Sequence, residues 1–132
     1  MPEFLEIKGL TKQYPRVKGI DQVSFSCREG SFTVLLGPSG AGKTTTLQII
    51  AGILQETSGD VLRRGESLRP IPPQDRGISM VFEDYALYPT YSVYENIASP
   101  LRLRKVAAAE VEARVAKIAK LIGIDQHLEK LP

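Results

Sequence analysis

Gly37-Pro38-Ser39-Gly40-Ala41-Gly42-Lys43-Thr44 matches G-x-x-x-x-G-K-[ST] at every fixed position, the pattern of a loop that cradles phosphates. Glycines at 37, 40 and 42 permit positive φ and leave room for backbone N–H groups to converge on an anion. Lys43 is placed to reach β- and γ-phosphates as a point charge, and the Thr44 hydroxyl to ligate Mg²⁺. A glycine-rich turn that holds Lys-Thr by chance is the competing reading, and the flanks argue against it. Upstream, Phe32-Thr33-Val34-Leu35-Leu36 is a short apolar run of the kind that forms a strand covered on both faces. Downstream, Leu47, Ile50, Ala51 and Leu54 recur at helical spacing and predict a helix with one apolar face. Thr44-Thr45-Thr46 are poor helix formers, tolerable in a first turn whose free N–H groups and positive dipole end face a phosphate. Strand, loop and helix together predict nucleotide binding on an α/β fold.

With 132 residues, 42% of them hydrophobic and 24% charged, the chain has the composition of one globular domain. The apolar stretch near Leu47–Leu54 is far shorter than the roughly 18–20 residues of a membrane-crossing helix. Met1-Pro2-Glu3 opens on an acid and lacks the basic and apolar regions of a signal peptide. Cys27 is the sole cysteine, so no disulfide forms within the chain and a cytoplasmic location fits. A net charge of +2 does not suggest nucleic acid, and Arg63, Arg64, Arg69 and Arg76 read as a solvated scatter.

Phe4-Leu5-Glu6-Ile7-Lys8 and Val23-Ser24-Phe25-Ser26-Cys27 alternate as half-buried strands, with Lys18-Gly19 marking a turn between them. Thr57-Ser58-Gly59 reads as a loop, and Asp60 to Leu68 as a small hairpin about Arg64-Gly65. Ile78-Ser79-Met80-Val81-Phe82 is a second candidate for a buried strand, ending on Glu83-Asp84. Tyr85, Tyr88, Tyr91 and Tyr94 then cluster with Leu87 around Pro89. Buried, they form a core under a loop; exposed, they suit a protein contact, because tyrosine covers area at little entropic cost. Ser92-Val93-Tyr94-Glu95 is a capping box opening a helix that Pro100 is expected to end. Val111, Val115, Ile118 and Ile122 predict one face of a helix from about Ala107 to Leu121, with Gly123 at its end and Glu110–Arg114 on its exposed side. His127, the single histidine, is assigned no role.

The opening Phe4 to Tyr14, the phosphate loop, Ile49-Ile50-Ala51-Gly52, Ser58-Gly59-Asp60 and the run from Met80 to Pro89 form one ordered series. It resembles the ATP-binding subunit of ABC transporters, in the sugar-importer branch that includes the maltose transporter ATPase. The likeness covers essentially the whole chain. It implies a partial P-loop NTPase core with an antiparallel β-subdomain over residues 1–83, and the first part of a helical subdomain over 84–132. By that resemblance Tyr14 stacks on adenine, Gly37, Pro38, Ser39, Gly40, Ala41, Gly42, Lys43, Thr44 and Thr45 hold the phosphates of ATP, and Thr44 and Glu83 ligate Mg²⁺. An ordinary tyrosine at the end of a strand is the alternative for Tyr14.

The resemblance also implies partners: a transmembrane importer subunit received by about Glu83–Asn96, and a second ATP-binding subunit. The location it implies is the inner face of the cell membrane. Glu83 stands where most members have glutamine, which adds a negative charge beside the triphosphate. The family's Ser-Gly-Gly signature, Walker B acids and switch histidine would follow Pro132. The 132 residues by themselves are therefore expected to bind ATP without efficient hydrolysis, a self-standing binding module being the alternative. A further rival takes Ile78 to Asp84 as a Walker B element of a compact NTPase.

Overall fold

A computed structural model describes residues 3–132, so Met1 and Pro2 of the acidic opening lie outside the described residues. The chain divides into two compact units, Met1–Met80 and Val81–Pro132. In the first, strands β1 (Leu5–Gln13), β2 (Lys18–Cys27), β3 (Ser58–Arg63) and β4 (Glu66–Ser67) form one antiparallel sheet in the order β2-β1-β3-β4. Helix α1 (Lys43–Ala51) follows the phosphate-loop sequence.

Ile7 and Leu10 are both buried although three residues apart, which a regular strand would place on opposite faces. A register shift between them, where Gly9 takes φ 56°, resets the alternation and returns Leu10 to the core. These two join Ile20, Val61 and Leu68 from the sheet side with Ile49 and Ile50 of α1. Burying each such side chain contributes about 1.5–3 kcal/mol relative to leaving it exposed.

The hairpin about Gly65 forms as expected, with Arg63 opposite Glu66. Other expectations need correction. The turn falls on residues 14–17 rather than at Lys18-Gly19, which already belong to β2. Ser58 and Gly59 are the first residues of β3, drawn into the sheet by pairing of Ser58 with Thr11. Neither Phe32–Leu36 nor Ile78–Phe82 is a strand. Phe32 is 93% exposed, Leu36 89% and Val81 80%, and among the described residues no strand pairs with either run. Apolar composition suits a doubly covered strand but cannot supply the flanking strands that satisfy its main chain. The compact-NTPase rival loses its Walker B strand with the second of these runs. The buried face of α1 is Thr46, Ile49, Ile50 and Ala51, while Leu47 is exposed and Leu54 lies past the helix end. Arg76, read as solvated, is buried at 6% exposure.

The second unit is a pair of helices, α2 (Val93–Leu103) and α3 (Ala108–Leu121), around Ala98, Val111 and Val115. The capping box forms in full: Glu95 N donates to Ser92 Oγ at 3.1 Å and Ser92 N to Glu95 Oε2 at 2.8 Å. Val93 N and Tyr94 N donate to the carbonyls of Lys130 and Leu128, so the end of the described chain closes the start of α2. Pro100 does not end the helix. Its missing N–H would have served Asn96 O, and the Ser99 hydroxyl donates there instead at 3.1 Å. The buried face of α3 is Val111, Val115 and Ala119; Ile118 and Ile122 point outward, and Gly123 takes φ 73° just past the helix. Glu110 and Arg114 form the expected ion pair.

Gly59 crosses β1 where a Cβ would stand 2.3 Å from the Gly9 carbonyl oxygen, and its φ is 87°. Gly65 has a similar φ of 83° with open space around it. Gly65→Ala should therefore cost about 1–2 kcal/mol, the left-handed penalty alone. Gly59→Ala should cost clearly more, because backbone must move as well. Urea denaturation of the two variants checks this, and equal losses would contradict it.

Candidate functional site

Helix α1 starts on Lys43 behind a glycine, Gly42, in the left-handed region at φ 89°. Gly42 offers no capping side chain, and no acid stands in the first turn. The first N–H groups of the helix and the positive end of its dipole are thus presented outward, the arrangement that binds anions. Thr46 explains how a threonine-rich turn persists: its hydroxyl donates to Gly42 O at 2.8 Å beside its own N–H at 2.9 Å. Lys43 Nζ arches back and donates to the carbonyls of Gly37 and Pro38, both at 2.7 Å. An ammonium has three donors, so one remains to meet a ligand.

Close contact locks the loop to β2. A Cβ on Gly42 would lie 2.2 Å from Ile20 Cγ2 and 2.7 Å from Gly19 O, so the strand abuts the loop only because position 42 is glycine. Gly37 has a different reason from the one expected. It does not take positive φ, and a Cβ there would press on Ala41 Cβ at 3.1 Å.

The loop and the 14–17 turn enclose a cleft of about 530 Å³ lined by Tyr14, Val17, Gly19, Ser39, Gly40, Gly42, Lys43, Thr44 and Thr45. Tyr14 stands at its rim, 44% exposed. The turn is closed by Tyr14 N to Val17 O at 2.9 Å and Val17 N to Tyr14 O at 3.3 Å. Lys12 Nζ sits 5.5 Å from the Tyr14 ring centroid, and bare Gly19 lies beneath the ring edge, where a Cβ would be 2.6 Å from Cε2. One end of the cleft is thus a flat aromatic surface and the other a set of N–H donors with a cation.

Seven of the sequence-predicted residues meet here: Tyr14, Ser39, Gly40, Gly42, Lys43, Thr44 and Thr45. Gly37, Pro38 and Ala41 do not line the cleft; the first two hold Lys43 instead. Glu83 belongs to the second unit, in an exposed turn leading to Tyr85 and Ala86, both at positive φ. Val17 and Gly19 are the residues that sequence reasoning missed, because it placed the turn at Lys18-Gly19 instead of at residues 14–17.

The second unit has its own cleft of about 470 Å³, lined by Tyr88, Tyr91, Glu95, Ser99, Arg102 and Leu103. The Tyr88 and Tyr91 rings lie 5.1 Å apart and both are exposed, whereas Tyr94 packs into the helix-pair core. Asn96 organises the loop above them, accepting from Tyr88 N at 2.8 Å and donating to the carbonyls of Tyr88, Tyr91 and Ser92. No described helix is long and apolar enough to cross a membrane.

A family model described as ABC transporter matches residues 20–132. The chain is 41% identical over 128 residues to the spermidine/putrescine import ATP-binding protein PotA of Thermotoga maritima, covering 97% of this chain and 35% of that protein. It is 41% identical over 129 residues to the molybdate/tungstate import ATP-binding protein WtpC of Pyrococcus horikoshii, with 98% and 37% covered. Identity reaches 44% over 128 residues with the trehalose/maltose import ATP-binding protein MalK of Thermococcus litoralis, with 92% and 34% covered. The chain therefore spans about a third of the length of the curated relatives it matches.

Gly42→Ala should part β2 from the loop and weaken binding of inorganic triphosphate at least about tenfold, since misplacing donors by an ångström costs this much or more. Isothermal titration with triphosphate checks it; unchanged affinity would mean that the loop tolerates the contact.

Proposed function

The chain belongs to the ABC transporter family, and from that premise we propose that it is the nucleotide-binding part of an importer's ATP-binding subunit, taking Mg-ATP in the cleft between Tyr14 and α1. The observation that carries this reading is the pairing of an exposed aromatic ring with an uncapped helix start and Lys43 in one cleft. Adenine stacks on Tyr14, a contact that tolerates other bases. The triphosphate is taken by the N–H groups of Gly40, Gly42, Lys43, Thr44 and Thr45 and by the Lys43 ammonium.

Mg²⁺ would be held by the Thr44 hydroxyl and by phosphate oxygens. The ion suits this donor set, because it keeps near-octahedral oxygen ligation and relies on phosphates rather than on a protein cage. When bound there it would draw charge off the phosphate oxygens.

Relatives named for polyamine, oxyanion and disaccharide import stand at similar identity, so their names support import of a polar solute, a sugar among the candidates. The subunit would work on the inner face of the membrane with a transmembrane subunit and a second ATP-binding subunit, residues 1–83 forming the nucleotide-binding part and 84–132 the start of a helical part.

Calorimetry tests the nucleotide reading. Lys43→Ala should weaken Mg-ATP by about 1.5–3 kcal/mol, the value of a hydrogen bond to a charged group. Tyr14→Ala should weaken ATP and ADP alike by roughly 1–3 kcal/mol and leave inorganic triphosphate unchanged. Equal ATP affinity in folded wild type and Lys43→Ala would end the assignment.

The paired, exposed rings of Tyr88 and Tyr91 support a docking role for Glu83–Asn96 toward the transmembrane subunit. Replacing both by serine in the assembled transporter should abolish co-purification of the membrane subunit while ATP binding persists. Loss of ATP binding together with docking would instead assign these rings to packing.

A further inference from the structure

Arg76 is the buried charge that the nucleotide reading leaves unused. Taking a guanidinium out of water costs several kcal/mol unless its donors are answered. Its Nη1 donates to Ile49 O at 2.9 Å and Ile50 O at 3.0 Å, carbonyls of the last turn of α1, and its Nε donates to Ile71 O at 2.8 Å. Desolvation depresses its pKa, while the carboxylates of Glu56 and Asp60 act in the opposite direction. The cation faces the negative end of the helix dipole.

The surroundings are shaped to admit it. Gly52 ends α1 in the left-handed region with its N–H returned to Gln48 and Ile49, and a Cβ at that position would stand 2.6 Å from Arg76 Nε. The carbonyl of Arg76 accepts from Arg63 Nη1, a side chain of β3. Helix α1 is therefore held at both ends: at Gly42 against β2, and at its carboxyl end by a guanidinium tied to β3.

We infer that Arg76 is a positioning residue for the phosphate loop, fixing the axis of α1 and with it the aim of the N–H groups at the helix start. Arg76 does not line the cleft, so it acts through the helix. Nine residues make a rod about 13–14 Å long, and a tilt of about 5° at one end displaces the other by about 1 Å. The inference rests on the nucleotide reading for its binding consequence, but not for its effect on the loop.

The test compares wild type with Arg76→Gln, Arg76→Lys and Arg63→Met, the last removing the tether to β3 while keeping the guanidinium. Amide resonances of Gly40 and Gly42 are recorded without ligand, and inorganic triphosphate, Mg-ATP and adenosine are then titrated. Arg76→Gln should displace both resonances and weaken triphosphate and ATP by about tenfold, leaving adenosine unchanged. Arg76→Lys should recover most of both effects, and Arg63→Met should shift the same resonances less far. Unmoved Gly40 and Gly42 resonances in Arg76→Gln overturn the inference, as does an adenosine affinity that falls as far as the triphosphate affinity. Should Arg76→Gln fail to fold, unmoved resonances in Arg63→Met overturn it equally. A wild type that binds no triphosphate would remove the nucleotide reading, and the resonances would still decide the role of Arg76.

Discussion

An α-helix that begins on a glycine, with no side chain over its first N–H groups, leaves donors and a partial positive charge that something else must answer. In this chain that helix is α1, and the surrounding structure keeps its start open. The loop before it is folded back on itself by Lys43, the Thr46 hydroxyl of the helix bonds back to Gly42, and β2 is pressed close enough to exclude any side chain at position 42. An anion is the natural occupant of such a place.

The rest of the first unit positions that opening relative to a second feature, the Tyr14 ring. Both depend on β2. Its first residues pass beneath the ring edge at Gly19 and against the loop at Gly19 and Ile20, so one strand spaces the aromatic surface from the donors. The sheet holds β2 through β1, whose shift at Gly9 keeps Ile7 and Leu10 in a common core with α1. Packing and site are thus the same set of contacts seen from two sides. The second unit has its own core and cap, and its exposed tyrosines are ordered by the Asn96 side chain rather than by burial.

Features that rest on local chemistry were legible in the sequence. The phosphate-loop pattern, the Ser92–Glu95 capping box, the Gly65 hairpin and the Glu110–Arg114 pair each involve residues a few positions apart. What could not be read depends on distant partners. Phe32–Leu36 and Ile78–Phe82 have strand composition, yet a strand exists only where another lies beside it. Arg76 looked like one more surface arginine because the carbonyls that bury it lie more than two dozen residues upstream. Pro100 was expected to stop a helix, and a neighbouring serine hydroxyl kept it going. Val17 and Gly19 were missed because moving the turn from Lys18-Gly19 to residues 14–17 changes which residues face the cleft.

Photolabelling with 8-azido-ATP tests the two-ended cleft most directly, because the azide reports where the base lies while the phosphates compete separately. The account predicts an adduct within residues 12–19 that inorganic triphosphate suppresses. An adduct elsewhere, such as the Tyr88–Leu103 cleft, or labelling indifferent to triphosphate, would contradict it.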